Sequence, residues 1–157
     1  MGYDRSQIGV EKDCGSMVIE QGKIHEFAKA VGIRDTLCHD SAAAEDAGYD
    51  GTVAPPTYMA ASAFWATGMA APGVLGMDLK RLLHGEQSYE QHRPVVAGDR
   101  LHGTRVITDL VEKEGKRGGT MTLVTEEVRW RDDHGEPVVT SRAVYVETAG
   151  KVEKESA

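Results

Sequence analysis

At 157 residues, with 40% hydrophobic and 27% charged residues, the chain has the length and balance of one ordinary globular domain. A formal net charge of −7 argues against a broad nucleic-acid-binding surface, and any phosphate-bearing ligand would need a local basic cluster. Cys14 and Cys38 are the two cysteines; they lack metal-ligand spacing and make no disulfide scaffold, so a reducing, cytoplasmic setting is expected.

Residues 1–15 show little periodicity and are expected to form a loose arm. Met1-Gly2 with Ser6 matches a bare myristoylation pattern, a motif short enough to arise by accident. There is no apolar signal core near the start, and no run approaches the roughly 18–20 apolar residues of a membrane span, so no membrane partner is expected. Residues 17–20 are a short strand candidate. From Gln21, the spacing of Ile24, Phe27, Ala28 and Val31 predicts an amphipathic helix that stops at Gly32. The loop IRDTLCHD follows, then a second short helix over 41–47 capped by Asp40 or Ser41.

The stretch 51–68, GTVAPPTYMAASAFWATG, is the centre of the reading. Pro55-Pro56 and Thr57 form a strong helix start, with Thr57 placed to accept a bond from a first-turn N–H. The run from Thr57 to Gly68 has no charge, which predicts a helix buried on every side. After a Gly/Pro-punctuated crossover over 69–78, four strand-like runs follow at 80–92, 100–113, 120–131 and 138–148. Their separators are turn-rich, which predicts hairpin connections and an antiparallel sheet. The tail over 149–157 is polar and expected to fray. One uncharged helix and one antiparallel sheet that needs a cover together predict an α+β hot-dog domain over 16–148, a curved sheet around a long central helix.

Several groups are chemically interesting. Asp35 and His39 lie close enough in sequence for an acid–base pair, although spacing alone favours helix capping and loop polarity as the account of them. In the first long strand, period two places His84, Glu86, Ser88, Glu90 and His92 on one face and Gly85, Gln87, Tyr89, Gln91 and Arg93 on the other. Neither face is apolar, so this strand is a solvated edge, a subunit contact or the wall of a polar channel. His84 and Glu86 offer only two ligands, and no metal site is expected. Arg93, with Lys80, Arg81 and Arg100, forms a basic rim suited to phosphates of coenzyme A or of a carrier-protein arm. Free N–H groups near Pro56-Thr57 suit a thioester carbonyl. There is no P-loop, GxSxG or GxGxxG stretch, so no nucleotide or redox cofactor is expected.

The segments DAGYDGTVAPPTY, LLHGEQSYEQHRPVVAGDRL and TSRAVYVET resemble the MaoC-like dehydratases, and more narrowly the fatty-acid-synthase-like N-terminal dehydratase domain, over about residues 17–148. The resemblance implies a hot-dog fold acting as a dimer or as two fused copies. It implies reversible hydration of a trans-2-enoyl thioester to the (R)-3-hydroxyacyl thioester, without metal or redox cofactor. Active members carry the catalytic pair in a Gly-Asp-x-Asn-Pro-x-His stretch. Aligned without gaps over 32–40, Ile33 stands in place of the Asp and Cys38 in place of the His; Asp35 and His39 restore a pair only at shorter spacing. The resemblance therefore implies a subunit that shapes the acyl-chain site with Pro56, Thr57, His84, Glu86, Gln87 and Arg93, while a hot-dog partner supplies the pair. Homodimeric or autonomous action through Asp35 and His39, a thioesterase using Glu86, and an acyl-CoA-binding module are the alternatives.

Overall fold

The computed structural model describes residues 3–115 and 119–149. In chain order the elements are β1 (Glu11–Val18), α1 (Gln21–Ala30), α2 (Ser41–Asp46), α3 (Ala71–Val74), β2 (Leu82–Gln91), β3 (Arg100–Glu114), β4 (Thr120–Arg131) and β5 (Pro137–Glu147). Short 3-10 helices occupy Arg5–Gln7, Thr36–Cys38 and Tyr58–Phe64. The strands form one antiparallel sheet in the order β1-β3-β4-β5-β2, with β1 and β2 at its edges. The α+β class and the antiparallel sheet are as the sequence predicts. The myristoylation pattern at Met1-Gly2 and the tail from residue 150 lie outside the described residues.

Three expectations need correction. The described part of the segment 1–15, residues 3–15, is not a loose arm: β1 starts at Glu11, and Ile8 bridges Ile107 just before it. The strand candidate over 17–20 overlaps only the end of β1, because a register shift between Asp13 and Ser16 puts Cys14 and Met17, three apart, into the core, which breaks the period-two pattern earlier in the strand. The connection over 92–99 is not a hairpin, because β2 pairs with β5 rather than β3. It is stitched instead to residues 52–54, with the Ala54 N–H donating to Val95 O at 2.8 Å and the Ala97 N–H to Thr52 O at 2.9 Å.

The third correction concerns the central helix. Tyr58–Phe64 is seven residues of 3-10 helix, not a long α-helix, and no side-chain cap comes from Thr57. Within it only Tyr58 and Met59 are buried, and Phe64 is 88% exposed. Alanine on most sides specifies no single face, and the three-residue repeat of a 3-10 helix divides the run differently. Tyr58, Ala61 and Phe64 line a hollow shared with Phe27 of α1, while Met59, Ser62, Ala63 and Ala66 line a cleft over the sheet. The neighbouring helices follow their sequence signals. Asp40 caps α2, accepting from Ala42 and Ala43. In α1, Ile24 and Ala28 are buried, whereas Val31 sits past its end and is half-exposed.

The core is in two parts. One gathers Cys14, Met17, Ile24, Tyr58, Leu101, Trp130 and Val139 under α1. The other gathers Ala71, Leu75, Met77, Ile107, Leu110 and Val124 under α3. Along β3 and β4 the residues between these clusters include Arg105, Glu126 and Val128, and it is here that the cleft opens.

Candidate functional site

A β-bulge builds the wall of the cleft. The β2–β5 register shifts between His84 and Glu86, so that His84 opposes Tyr145, Gln87 opposes Ala143 and Tyr89 opposes Ser141. The extra residue is Gly85, where a Cβ would meet Val146 Cγ2 at 2.9 Å and Val144 O at 3.3 Å. The bulge reverses the alternation, so His84 joins Gln87 and Tyr89 on the inner face and leaves Glu86 on the outer one. The two-face assignment made from strict period two is corrected accordingly.

The cleft has a volume of about 500 Å3 and runs between the Tyr58–Phe64 helix and the inner face of the sheet. Its floor carries a buried ion pair, Arg105 with Glu126, contributed by β3 and β4. Glu126 also accepts from the Ala71 N–H at 2.8 Å, and Arg105 Nη1 donates to Met69 O at 3.0 Å, so the pair ties the 69–71 crossover to the sheet. Burial pushes the Glu126 carboxyl above its ordinary range, and the Ala71 N–H and Arg105 pull it back only in part. Burial also raises the phenols of Tyr89 and Tyr145, which remain neutral donors at physiological pH. At the rim, His84 Nε2 lies 3.1 Å from Gln87 Oε1, and the His84 ring lies 5.2 Å from that of Tyr145. Gln91 Nε2 donates to Pro56 O at 3.3 Å, fixing β2 to the start of the 3-10 helix. The cleft thus offers room, neutral hydrogen-bond donors and a carboxylate already held by two partners.

The loop over 32–40 is occupied with its own structure. Asp35 caps the Thr36–Cys38 turn, its Oδ1 accepting from the Leu37 N–H at 3.0 Å. His39 Nδ1 lies 2.9 Å from His25 Nδ1, and its Nε2 lies 2.9 Å from Ile33 O. Asp35 and His39 are therefore held by different partners, and neither lines the cleft. Ile33 packs against the first core cluster, and Cys38 is buried, its thiol pushed up by burial and then by Asp35.

Of the substrate-binding candidates, His84 and Gln87 line the cleft. Pro56 and Thr57 are exposed and are not among its lining residues, and Glu86 faces outward. Arg93 grips Asp99 through both Nη atoms, at 2.8 and 3.0 Å, and reaches Asp132 at 3.5 Å. Arg81 pairs with Asp78 and Glu147, and Arg100 lies 3.9 Å from Asp133. Most of the basic rim is thus already neutralised. Sequence reasoning missed Arg105, Glu126, Tyr89 and Tyr145 as cleft residues. The available signal was a charge at an inward-facing position of each strand, Arg105 between Gly103 and Ile107 and Glu126 between Val124 and Val128.

Comparison with known proteins agrees with this architecture. A protein of Saccharopolyspora erythraea named UPF0336 protein is 34% identical over 148 residues, covering 93% of this chain and 92% of the relative. A UPF0336 protein of Streptomyces avermitilis is 38% identical over 130 residues, covering 82% and 83%. Among solved structures, a MaoC-like dehydratase superposes with a TM-score of 0.76 at 29% identity, covering 92% of this chain. This chain spans only 43% of the length of that dehydratase. The C-terminally truncated HadBC (3R-hydroxyacyl-ACP dehydratase) complex from Mycobacterium tuberculosis superposes with a TM-score of 0.72 at 24% identity, covering 89% of this chain and 96% of that one, and shares the fold. The family described as "FAS1-like, dehydratase domain region" matches residues 6–141, and the chain belongs to that family, with a MaoC-like hot-dog fold.

Proposed function

We propose that this chain is a subunit of a heteromeric (R)-specific enoyl-thioester hydratase, or 3-hydroxyacyl-thioester dehydratase, that shapes the acyl-chain site while a hot-dog partner supplies the acid–base pair. The reading rests on the loop over 32–40. Hydration delivers water oxygen to C3 of the enoyl thioester and a proton to C2, which calls for a base and an acid facing the substrate. Here Asp35 is spent on a cap, His39 on His25 and Ile33 O, and Cys38 is buried. What the chain does offer is the cleft, with His84, Gln87, Tyr89 and Tyr145 along it.

Two further observations support a partner. β2 is an edge strand, open along its outer side, and Phe64, Met69 and Leu79 are exposed at 88%, 67% and 70%, apolar surface that a second subunit would cover. The chain also matches less than half of the MaoC-like dehydratase, as one unit of a two-unit arrangement would. The substrate carrier in this reading is coenzyme A or acyl carrier protein. A thioesterase using Glu86 is disfavoured because that side chain faces away from the cleft, and the carboxylate that does line it, Glu126, is already held by Arg105 and the Ala71 N–H.

The test is reconstitution with a small hot-dog subunit that carries an intact Asp/His stretch. The account expects the two chains to co-elute and to hydrate crotonyl-CoA at least about 100-fold faster than this chain alone, the scale of general acid–base catalysis. Failure to associate, together with no effect on the partner's rate or chain-length preference, would sink the proposal.

A further inference from the structure

On a chain of net charge −7, one hollow runs against the trend. It has a volume of about 450 Å3 and is lined by His25 and Lys29 of α1 and by Gly32, Ile33, Arg34 and His39, with no carboxylate among them. Lys29 and Arg34 are exposed, and neither enters an ion pair among the described residues. The acidic groups nearest in sequence are engaged elsewhere. Glu26 holds Lys23 at 2.9 Å, Asp35 takes the Leu37 N–H, and Asp40 takes the Ala42 and Ala43 N–H groups.

The histidines add a polar wall whose bonding is fixed by proton counting. Ile33 O can only accept, so His39 Nε2 carries a proton. The Nδ1 atoms of His25 and His39, 2.9 Å apart, then share a single proton. His25 Nε2 is the ring nitrogen of the pair that neither of these bonds uses, and it lies beside two permanent cations.

We propose that this hollow is a binding site for a phosphate group, with Lys29 and the Arg34 fork as its cations and the His25 ring as a third polar contact. Two cations around one concavity match the several oxygens and double charge of a phosphate better than a single carboxylate. The groups facing the pair are Lys29 from α1, Arg34 from the turn and the Ile33 carbonyl. The site stands apart from the hydratase reading, because phosphate binding is measured without turnover.

The experiment is titration of the purified chain with inorganic pyrophosphate at low ionic strength, followed by two-dimensional NMR. Saturable shifts centred on residues 25–39 are expected. Lys29→Ala/Arg34→Ala should weaken binding at least about tenfold, and Lys29→Arg should retain it. Both side chains are exposed, so circular dichroism should show an unchanged fold. Parallel titrations with adenosine 3′,5′-bisphosphate and 4′-phosphopantetheine distinguish a nucleotide source of the phosphate from a carrier-arm source, and tighter binding of either supports the site. Absence of saturable shifts, or equal affinity in the double variant, overturns it.

Discussion

The cleft and the loop over 32–40 are held together by opposite means. The carboxylates of the loop are fixed by near neighbours, Asp35 by Leu37 and Asp40 by Ala42, each two residues away. The cleft floor is fixed across long stretches of chain, with Arg105 joined to Glu126 and Met69, and Glu126 to Ala71, 55 residues away. A local device can be rebuilt by a small change in sequence without disturbing the fold. A long-range charged pair cannot, because burying either partner alone is costly. The difference indicates which region is free to change and which is bound to the architecture.

The strongest way to break this contrast is Arg105→Met. It leaves Glu126, only 4% exposed, with the Ala71 N–H as its remaining partner, and should cost about 3–5 kcal/mol in urea unfolding at neutral pH. The pH dependence has a definite sign. Glu126 already has a raised carboxyl pKa, chiefly from burial, so its stabilising contribution is complete below the unfolded value near 4.5 and is lost as pH rises through the folded one. Without Arg105 the folded value rises further, so the deficit should be larger at about pH 8 than at about pH 5. A deficit independent of pH would mean that the pair is not what holds the floor. A smaller effect is expected of Gly85→Val at the bulge, where the new side chain meets Val146 Cγ2 and the Val144 carbonyl. The expected cost is about 1–3 kcal/mol, with the His84 resonances displaced as β2 changes phase. If stability and the His84 signals were both unchanged, the bulge would not be what turns His84 inward. The smallest effects belong to the loop. Asp35→Ala and Asp40→Ala should each cost about 1 kcal/mol, the loss of one capping side chain. A loss of several kcal/mol from either would remove the contrast with the cleft.

The same division decides what was legible in the sequence. α1, α2 and the Asp40 cap follow from signals within a few residues, and so do the four later strands and the antiparallel pairing of β3 with β4 and of β4 with β5. The expectation that Ile33 and Cys38 stand in place of a catalytic pair likewise rests on one nine-residue stretch. Features set by partners far along the chain were not visible. The Glu11–Val18 strand is defined by its pairing with β3 and interrupted by a bulge. The face presented by His84 depends on the register against β5. Arg93 read as a free cation until Asp99 and Asp132 were brought beside it. The run over 57–68 misled for a different reason: its alanines allow a helix without specifying its length, its type or its buried side, and only contact with α1 and the sheet settles those.

The central claim is that the loop over 32–40 no longer assembles a catalytic pair, and hydration of crotonyl-CoA by the purified chain alone tests it most directly. The account predicts a rate indistinguishable from the buffer reaction, and no difference between the natural chain and Asp35→Asn. Robust turnover by the chain alone, abolished by Asp35→Asn or by His39→Ala, would contradict it.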